Sequence, residues 1–282
     1  MRETLEQVVE RLRKALPVRL LPLLVSARAR LAWSRAGVRD DARAQMGFLL
    51  EQSQPGADVE RAARAYVWQQ AWRGESRWHP DTVTRLRVEG LEHLEKAKAQ
   101  GRGVMLNFMH HASYEGALAS IGRLGVPAKM IVYPYMIRPD APRWLKQHMY
   151  VGCLGGGSAV SAEIGNAGIA ALLEEGDVVA VASDVPGRTP LRFAGRDVLG
   201  SFGAARIAAG TGSPVVVMTT ERDEQGTFVR VHEPLDPADF ATPTALLEEM
   251  VARHERAILA WPEATDLPLS RWGVAADATA AA

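Results

Sequence analysis

The stretch Asn107-Phe108-Met109-His110-His111-Ala112-Ser113-Tyr114-Glu115-Gly116 holds the residues best suited to chemistry. An apolar run ends, a histidine follows, and a glutamate stands five positions later where a helical pattern begins. In open α/β sheets ligands bind beyond the C-terminal ends of the strands, so His110 stands where a reacting group belongs. A carboxylate at Glu115 is able to accept from one imidazole nitrogen and fix the tautomer. The other nitrogen is then free to take a proton from a hydroxyl or an amine. On spacing alone a second reading stands beside this one: a satisfied strand-end histidine, and an early-turn glutamate that complements the helix dipole. Ser113 is placed to cap that helix.

Other signatures fail. The nearest approach to a Gly-x-Ser-x-Gly elbow, Gly156-Gly157-Ser158-Ala159-Val160, lacks its last glycine. No Walker loop and no His-Glu-x-x-His zinc helix is present. His79, His93, His232 and His254 do not cluster in sequence, so no metal site and no cofactor are expected.

From position 101 onward, short apolar runs alternate with helical segments: VMLNFM (104–109), AKMIVY (128–133), VVAVAS (178–183) and PVVVMTT (214–220). TFVRVHEPL (227–235) reads as a late strand at an edge, and 243–260 as a last helix. This alternation predicts an α/β fold, with a mostly parallel central sheet flanked by helices. Residues 1–100 read as a helical N-terminal region, broken near Gly37, at Gln54-Pro55-Gly56 and at His79-Pro80. Trp68, Trp72 and Trp78 read as a buried stripe. No linker divides the chain, so 1–282 is expected to be one domain, with 101–272 as its α/β core.

The 282 residues carry 47% apolar and 23% charged side chains, enough to bury a core, which excludes disordered, collagen-like and coiled-coil classes. Lys plus Arg and Asp plus Glu are 33 each, so no nucleic-acid partner is expected. The single cysteine, Cys153, excludes an internal disulfide and a Cys-rich zinc site, in keeping with a reducing cytoplasm. No run reaches the ~18 apolar residues of a membrane span. The opening MRETLEQVVE lacks the order of a signal peptide. The first 36 residues are locally basic, with Arg2, Arg11, Arg13, Lys14, Arg19, Arg28, Arg30 and Arg35 beside Leu5, Val8, Val9, Leu12, Leu16, Leu20 and Leu21. Two readings stand: an amphipathic segment lying on an anionic membrane, peripheral at the inner face of the cytoplasmic membrane, or a helix packed on its own domain.

His110-(x)4-Glu115 resembles the His-(x)4-Asp/Glu motif of the lysophospholipid (glycerolipid) acyltransferase superfamily. Its surroundings resemble the lipid A biosynthesis branch, with lauroyl and phosphatidylinositol mannoside acyltransferases. Four blocks carry the likeness in order: RVEGLEHLEKAKAQGRGVMLNFMHHASYE, LLEEGDVVAVASD, FAGRDVLGSFGAARIAAGTGSPVVVMTTERD and WPEATDLPLSRW. They span roughly residues 40 to 272. The chain departs from the branch at Ser113-Tyr114, where Asn-Trp is common. It departs again at His148, where an arginine commonly stands four residues before a glycine, here Gly152. These differences bear on the acceptor more than on the reaction.

The resemblance implies an acyltransferase. An acyl thioester, on coenzyme A or acyl carrier protein, would donate to a hydroxyl or amine acceptor by direct transfer. His110 becomes the general base and Glu115 its orienting partner. Asp184 becomes an acidic residue that positions His110 or the acceptor, or else caps the turn after it. Arg188 and Arg192 become contacts to an anionic donor or head group, or solvated surface. Arg138, Lys146 and His148 stand where the missing arginine would act. His111 is structural or a substrate contact. The acceptor is a lipid or a small molecule of a specialised pathway; a non-catalytic lipid-binding relative is the remaining alternative.

Overall fold

The computed structural model describes residues 5–272. Eleven α-helices, six short 3₁₀ helices and nine strands are assigned among them. Four helices come first: α1 (Leu5–Ala15), α2 (Leu21–Trp33), α3 (Ala36–Leu50) and α4 (Val59–Ser76). Then follow β1 (Arg87–Glu89), α5 (Leu91–Lys98), β2 (Val104–Phe108), α6 (Tyr114–Arg123), β3 (Lys129–Val132), α7 (Arg143–Cys153), β4 (Ser158–Ser161), α8 (Gly165–Glu174) and β5 (Val178–Ala182). The chain continues through β6 (Thr189–Phe193), β7 (Arg196–Gly200), α9 (Gly203–Thr211), β8 (Val215–Asp223), β9 (Gly226–Val231), α10 (Pro243–Ala260) and α11 (Pro268–Trp272).

Seven strands form one sheet in the order β1-β9-β8-β2-β5-β3-β4, and β6 and β7 form a separate hairpin. Within the large sheet all neighbours are parallel except β8 and β9. The mostly parallel sheet flanked by helices is the predicted architecture. Three details differ. The strand at 226–231 is not an edge: β1, a short strand inside the region read as helical, pairs outside it. The β6–β7 hairpin and β4 were not foreseen. The break expected near Gly37 falls at Ser34-Arg35, just before α3, and an earlier one, between α1 and α2, was not foreseen.

The central strands are buried on both faces, as parallel sheets are, which is why they read as unbroken apolar runs. Successive side chains alternate between two cores. Met105, Val179, Val215 and Val217 join α3, α9 and α10 on one face. Leu106, Phe108, Val178, Ala180 and Val216 join α5, α6 and α7 on the other. Trp78 is buried, whereas Trp68 and Trp72 are half-buried and stack on each other with centroids 5.6 Å apart. The N-terminal helices are fastened to this body. Leu21, Val25 and Ala29 of α2 are buried, and Arg13 and Arg28 both reach the buried carboxylate of Glu75 on α4.

α6 approaches the preceding loop more closely than a side chain permits. A Cβ on Gly116 would lie 2.1 Å from the Val83 carbonyl oxygen. Gly116→Ala should therefore cost about 1–3 kcal/mol through overpacking against backbone. Gly210→Ala, in α9 with nothing within 4 Å, should be neutral or stabilising by about 0.5–1 kcal/mol. Thermal unfolding of the two variants should move in opposite directions, and equal shifts would refute the packing argument.

Candidate functional site

The sheet register assembles the site. Phe108 of β2 is paired with Ala182 of β5, the last residue of each strand. The residues two positions further on, His110 and Asp184, therefore emerge side by side. His110 Nδ1 lies 2.8 Å from Asp184 Oδ1, and the His110 amide donates to Oδ2 at 2.8 Å. Asp184 is 1% exposed. Burial alone would raise its pKa, but the His110 charge and hydrogen bonds, with Arg271, outweigh burial and hold the carboxyl below its ordinary range. Nδ1 is thus committed to the carboxylate. Nε2 has no protein partner among the described residues.

The carboxylate beside His110 is Asp184, not Glu115. Glu115 sits in the first turn of α6 and points between α6 and α7, where its Oε1 lies 3.5 Å from Nδ1 of His148. The other nitrogen of His148 is 2.7 Å from the Tyr114 hydroxyl. Burial would raise the Glu115 pKa, but His148, Arg73 and Arg77 bring it down to about 2. Tyr114 links the two networks. Its ring stacks on Phe108 at 5.2 Å and meets the His110 ring edge-on at 4.7 Å. Ser113 precedes α6 but makes no side-chain cap.

The loop carrying His110 is held by residues that sequence reasoning missed. Asp184 Oδ2 faces Arg271 Nε at 3.9 Å, Arg271 Nη2 pairs with Asp266 at 2.6 Å, and Asp266 pairs with Arg73 Nη1 at 2.6 Å. The other Arg73 nitrogen, Nη2, donates to the Ala112 carbonyl at 3.1 Å and to the Ala264 carbonyl at 2.8 Å. The Asp266 amide donates to the His110 carbonyl and the Ala112 amide to Ala264. Ala112 has φ 50°, the left-handed region. A non-glycine residue there costs on the order of 1–3 kcal/mol and persists only where its surroundings fix it. The one sequence signal for this clamp was the Asp266-(x)4-Arg271 spacing in the closing block.

The remaining candidates fall in different places. His111 is buried and donates from Nε2 to the Trp261 carbonyl at 2.9 Å, a structural contact that turns it away from His110. His148 is buried behind Tyr114. Arg192 pairs with Asp197 across the β6–β7 hairpin on an exposed surface. Lys146 is exposed and bonds the Pro139 carbonyl. Arg138 and Arg188 are exposed. None of these six lines the cavity beside His110.

That cavity, of about 150 Å³, lies beyond β5 and β3. Phe108, Met130, Val132, Met136, Met149 and Val185 are among its walls, with His110, Tyr114 and Tyr133 as the polar side chains that line it. The arrangement is an imidazole with one nitrogen held by a carboxylate and the other free at an apolar chamber.

No protein-family model matches this chain, and no curated protein matches it. Among solved structures, the crystal structure of the 1-acyl-sn-glycerophosphate acyltransferase PlsC from Thermotoga maritima is similar at 16% identity and a TM-score of 0.43. The match covers 88% of this chain and 96% of that one. Identity that low and a superposition that loose leave the function to be argued from the site.

Buried histidines around the site make stability depend on pH. Burial, against its bond to Trp261, pushes His111 down to about 4, and burial pushes His254, whose Nε2 donates to Asn107 Oδ1 at 2.9 Å, down to about 3. Both stay neutral in the fold and take up a proton on unfolding below the ordinary value of 6.5. Their contribution is therefore complete above that value and is lost as pH falls, at about 1.4 kcal/mol per pH unit for each. Below about 4.5 the depressed carboxylates Asp184 and Glu115 add to the loss. Chemical denaturation between pH 7 and 4.5 should show this slope, and His254→Gln, which keeps a donor for Asn107, should flatten it. An unchanged slope would remove His254 from the account.

Proposed function

We propose that this chain is an acyltransferase, moving an acyl group from a thioester on coenzyme A or acyl carrier protein to a hydroxyl or amine acceptor. The observation that carries the reading is His110: bound to buried Asp184 through Nδ1, and lining an apolar cavity with Nε2 uncommitted. The acyl tail occupies the cavity and its carbonyl stands at His110. Nε2 takes the acceptor proton as the acceptor oxygen or nitrogen bonds to the carbonyl carbon. The C–S bond then breaks, and the imidazolium returns the proton to the departing thiolate. Asp184 holds the tautomer and stabilises the imidazolium. Glu115 acts at one remove: through His148 it holds Tyr114, whose ring is a wall for His110. The resemblance of the four sequence blocks supports the same reaction class. Arg188 and Arg138 are exposed cations available to an anionic head group.

A lipid acceptor is favoured by the N-terminal surface. Val9, Leu12, Val18, Leu20, Leu23 and Leu31 are exposed on α1, α2 and the turn between them. Arg19, Arg30 and Arg35 stand exposed among them. No helix among the described residues is long and apolar enough to cross a membrane. The surface suits peripheral contact with an anionic bilayer, each nearby arginine contributing about 1 kcal/mol at modest salt.

His110→Ala should lower turnover of an acyl-coenzyme A by about 10²–10⁴ without unfolding the chain. Asp184→Asn should lower it less, and the double variant should show far less than the product of the two losses, because the pair acts as one unit. Full turnover by folded His110→Ala would overturn the assignment. For the membrane surface, co-sedimentation with anionic vesicles should weaken with added salt and fall about tenfold in a Leu23→Gln/Leu31→Gln variant, whose side chains touch no core. Salt-indifferent binding, or equal binding by the variant, would remove these helices from membrane contact.

A further inference from the structure

On the far side of β2 from the apolar cavity lies a second cleft, of about 350 Å³, between the β8–β9 hairpin and α10. Its walls carry four arginines from three elements: Arg222 on β8, Arg230 on β9, and Arg253 and Arg256 on α10, against one carboxylate, Glu221. β8 runs parallel to β2, so the cleft opens at the same end of the sheet as His110. Trp261 closes it, and the carbonyl of Trp261 is the one bound by His111, the neighbour of His110.

The guanidiniums are held in place but not used up. Glu263 takes one edge of Arg222 at 3.3 Å, Glu249 takes Nε of Arg253 at 2.8 Å while its Nη1 donates to the Glu233 carbonyl, and Glu89 and Glu221 share Arg230 at 3.1 Å. Arg256 is exposed and has no hydrogen-bonding or ion-pairing partner among the described residues. Each guanidinium carries five N–H donors in a planar fork that suits phosphate oxygens, and these partners leave Nη2 of Arg230 and of Arg253 open. The cleft is positive as its half-buried histidine feels it. His232, bonded to Thr219, is brought down to about 4 by burial, and Arg253, Arg230 and Arg256 add to that against Glu221.

We propose that this arginine cleft binds the phosphate-bearing end of the thioester donor, the nucleotide end of a coenzyme A-type carrier. The proposal rests on the acyltransferase reading. It gives the donor one path across the end of the sheet: acyl tail in the cavity beyond β5 and β3, reacting carbonyl at His110, and phosphates between β9 and α10. A phosphorylated acceptor offers the same chemistry from another source, and the test separates the two.

The full chain and an Arg253→Gln/Arg256→Gln variant are titrated calorimetrically with coenzyme A, adenosine 3′,5′-bisphosphate, pantetheine and glycerol 3-phosphate. Coenzyme A and the bisphosphate should bind the unaltered chain in a salt-sensitive manner and lose about tenfold or more in affinity in the variant. Pantetheine, which has no phosphate, should not follow that loss. Arg256→Gln alone, an exposed position whose loss cannot unfold the chain, should weaken coenzyme A about threefold. Equal coenzyme A affinity in all three proteins overturns the proposal, as does failure of the unaltered chain to bind either nucleotide. A loss confined to glycerol 3-phosphate also overturns it, by assigning the cleft to the acceptor. Turnover of an acyl N-acetylcysteamine thioester, which carries no phosphate, is measured on the unaltered chain alongside. Its absence would count against the acyltransferase reading, while the titrations still decide the arginine cleft.

Discussion

Everything at the His110 end of the sheet depends on one line of alternating charge, Arg73, Asp266, Arg271 and Asp184, that ends on the His110 ring. A carboxylate taken from water without a partner is costly, and so is a guanidinium. Here Asp266 and Arg271 each touch two groups of opposite sign, and Asp184 is held by Arg271 and by hydrogen bonds from His110, so none can leave without stranding its neighbour. The line also spans the molecule. It begins on α4, crosses the segment before α11 and α11 itself, and ends on the tips of β5 and β2. The same groups that satisfy these charges bond the backbone on both sides of Ala112. A strained loop is thereby tied to elements far apart in sequence, and the His110 ring inherits their rigidity.

The sheet divides what lies beyond that ring. On the β5 side the strands end in Phe108, Ala182 and Val132, and the space above them is apolar. On the β8 side the strand runs on into Thr219, Thr220, Glu221 and Arg222, and the space beside it is charged. The difference follows from strand length. β8 continues to Asp223 because it pairs antiparallel with β9 beyond the point where β2 and β5 stop. One antiparallel neighbour in a parallel sheet thus yields a polar wall opposite an apolar one.

Much of this was legible in the sequence. Four apolar runs marked four central strands because a strand buried on both faces needs an unbroken run. His110 stood out because it follows such a run directly. What failed was the inference of contact from spacing. The five-residue interval between His110 and Glu115 spans a loop with a left-handed residue, Ala112, and that turn sends Glu115 toward α7 while His110 stays at the sheet. Asp184 was visible as the residue after a strand block, but only the pairing of β2 with β5 shows that two strand ends 74 residues apart are level. β1 was hidden because Arg87–Glu89 is short and charged. Arg73 carries no local signal, since its partners lie 39 and 191 residues away.

The distance in sequence between His110 and its clamp has a meaning in time. The Trp261 carbonyl that receives His111 comes 150 residues later in the chain. At a synthesis rate of about 5–20 residues per second, the β2 loop leaves the ribosome roughly eight to thirty seconds before the residues that pin it. During that interval β2 has no locked loop at its end, and Asp184, once made, lacks Arg271. A nascent chain therefore carries His110 long before it carries Asp266 and Arg271, and α11 completes the line of charges that fixes the ring.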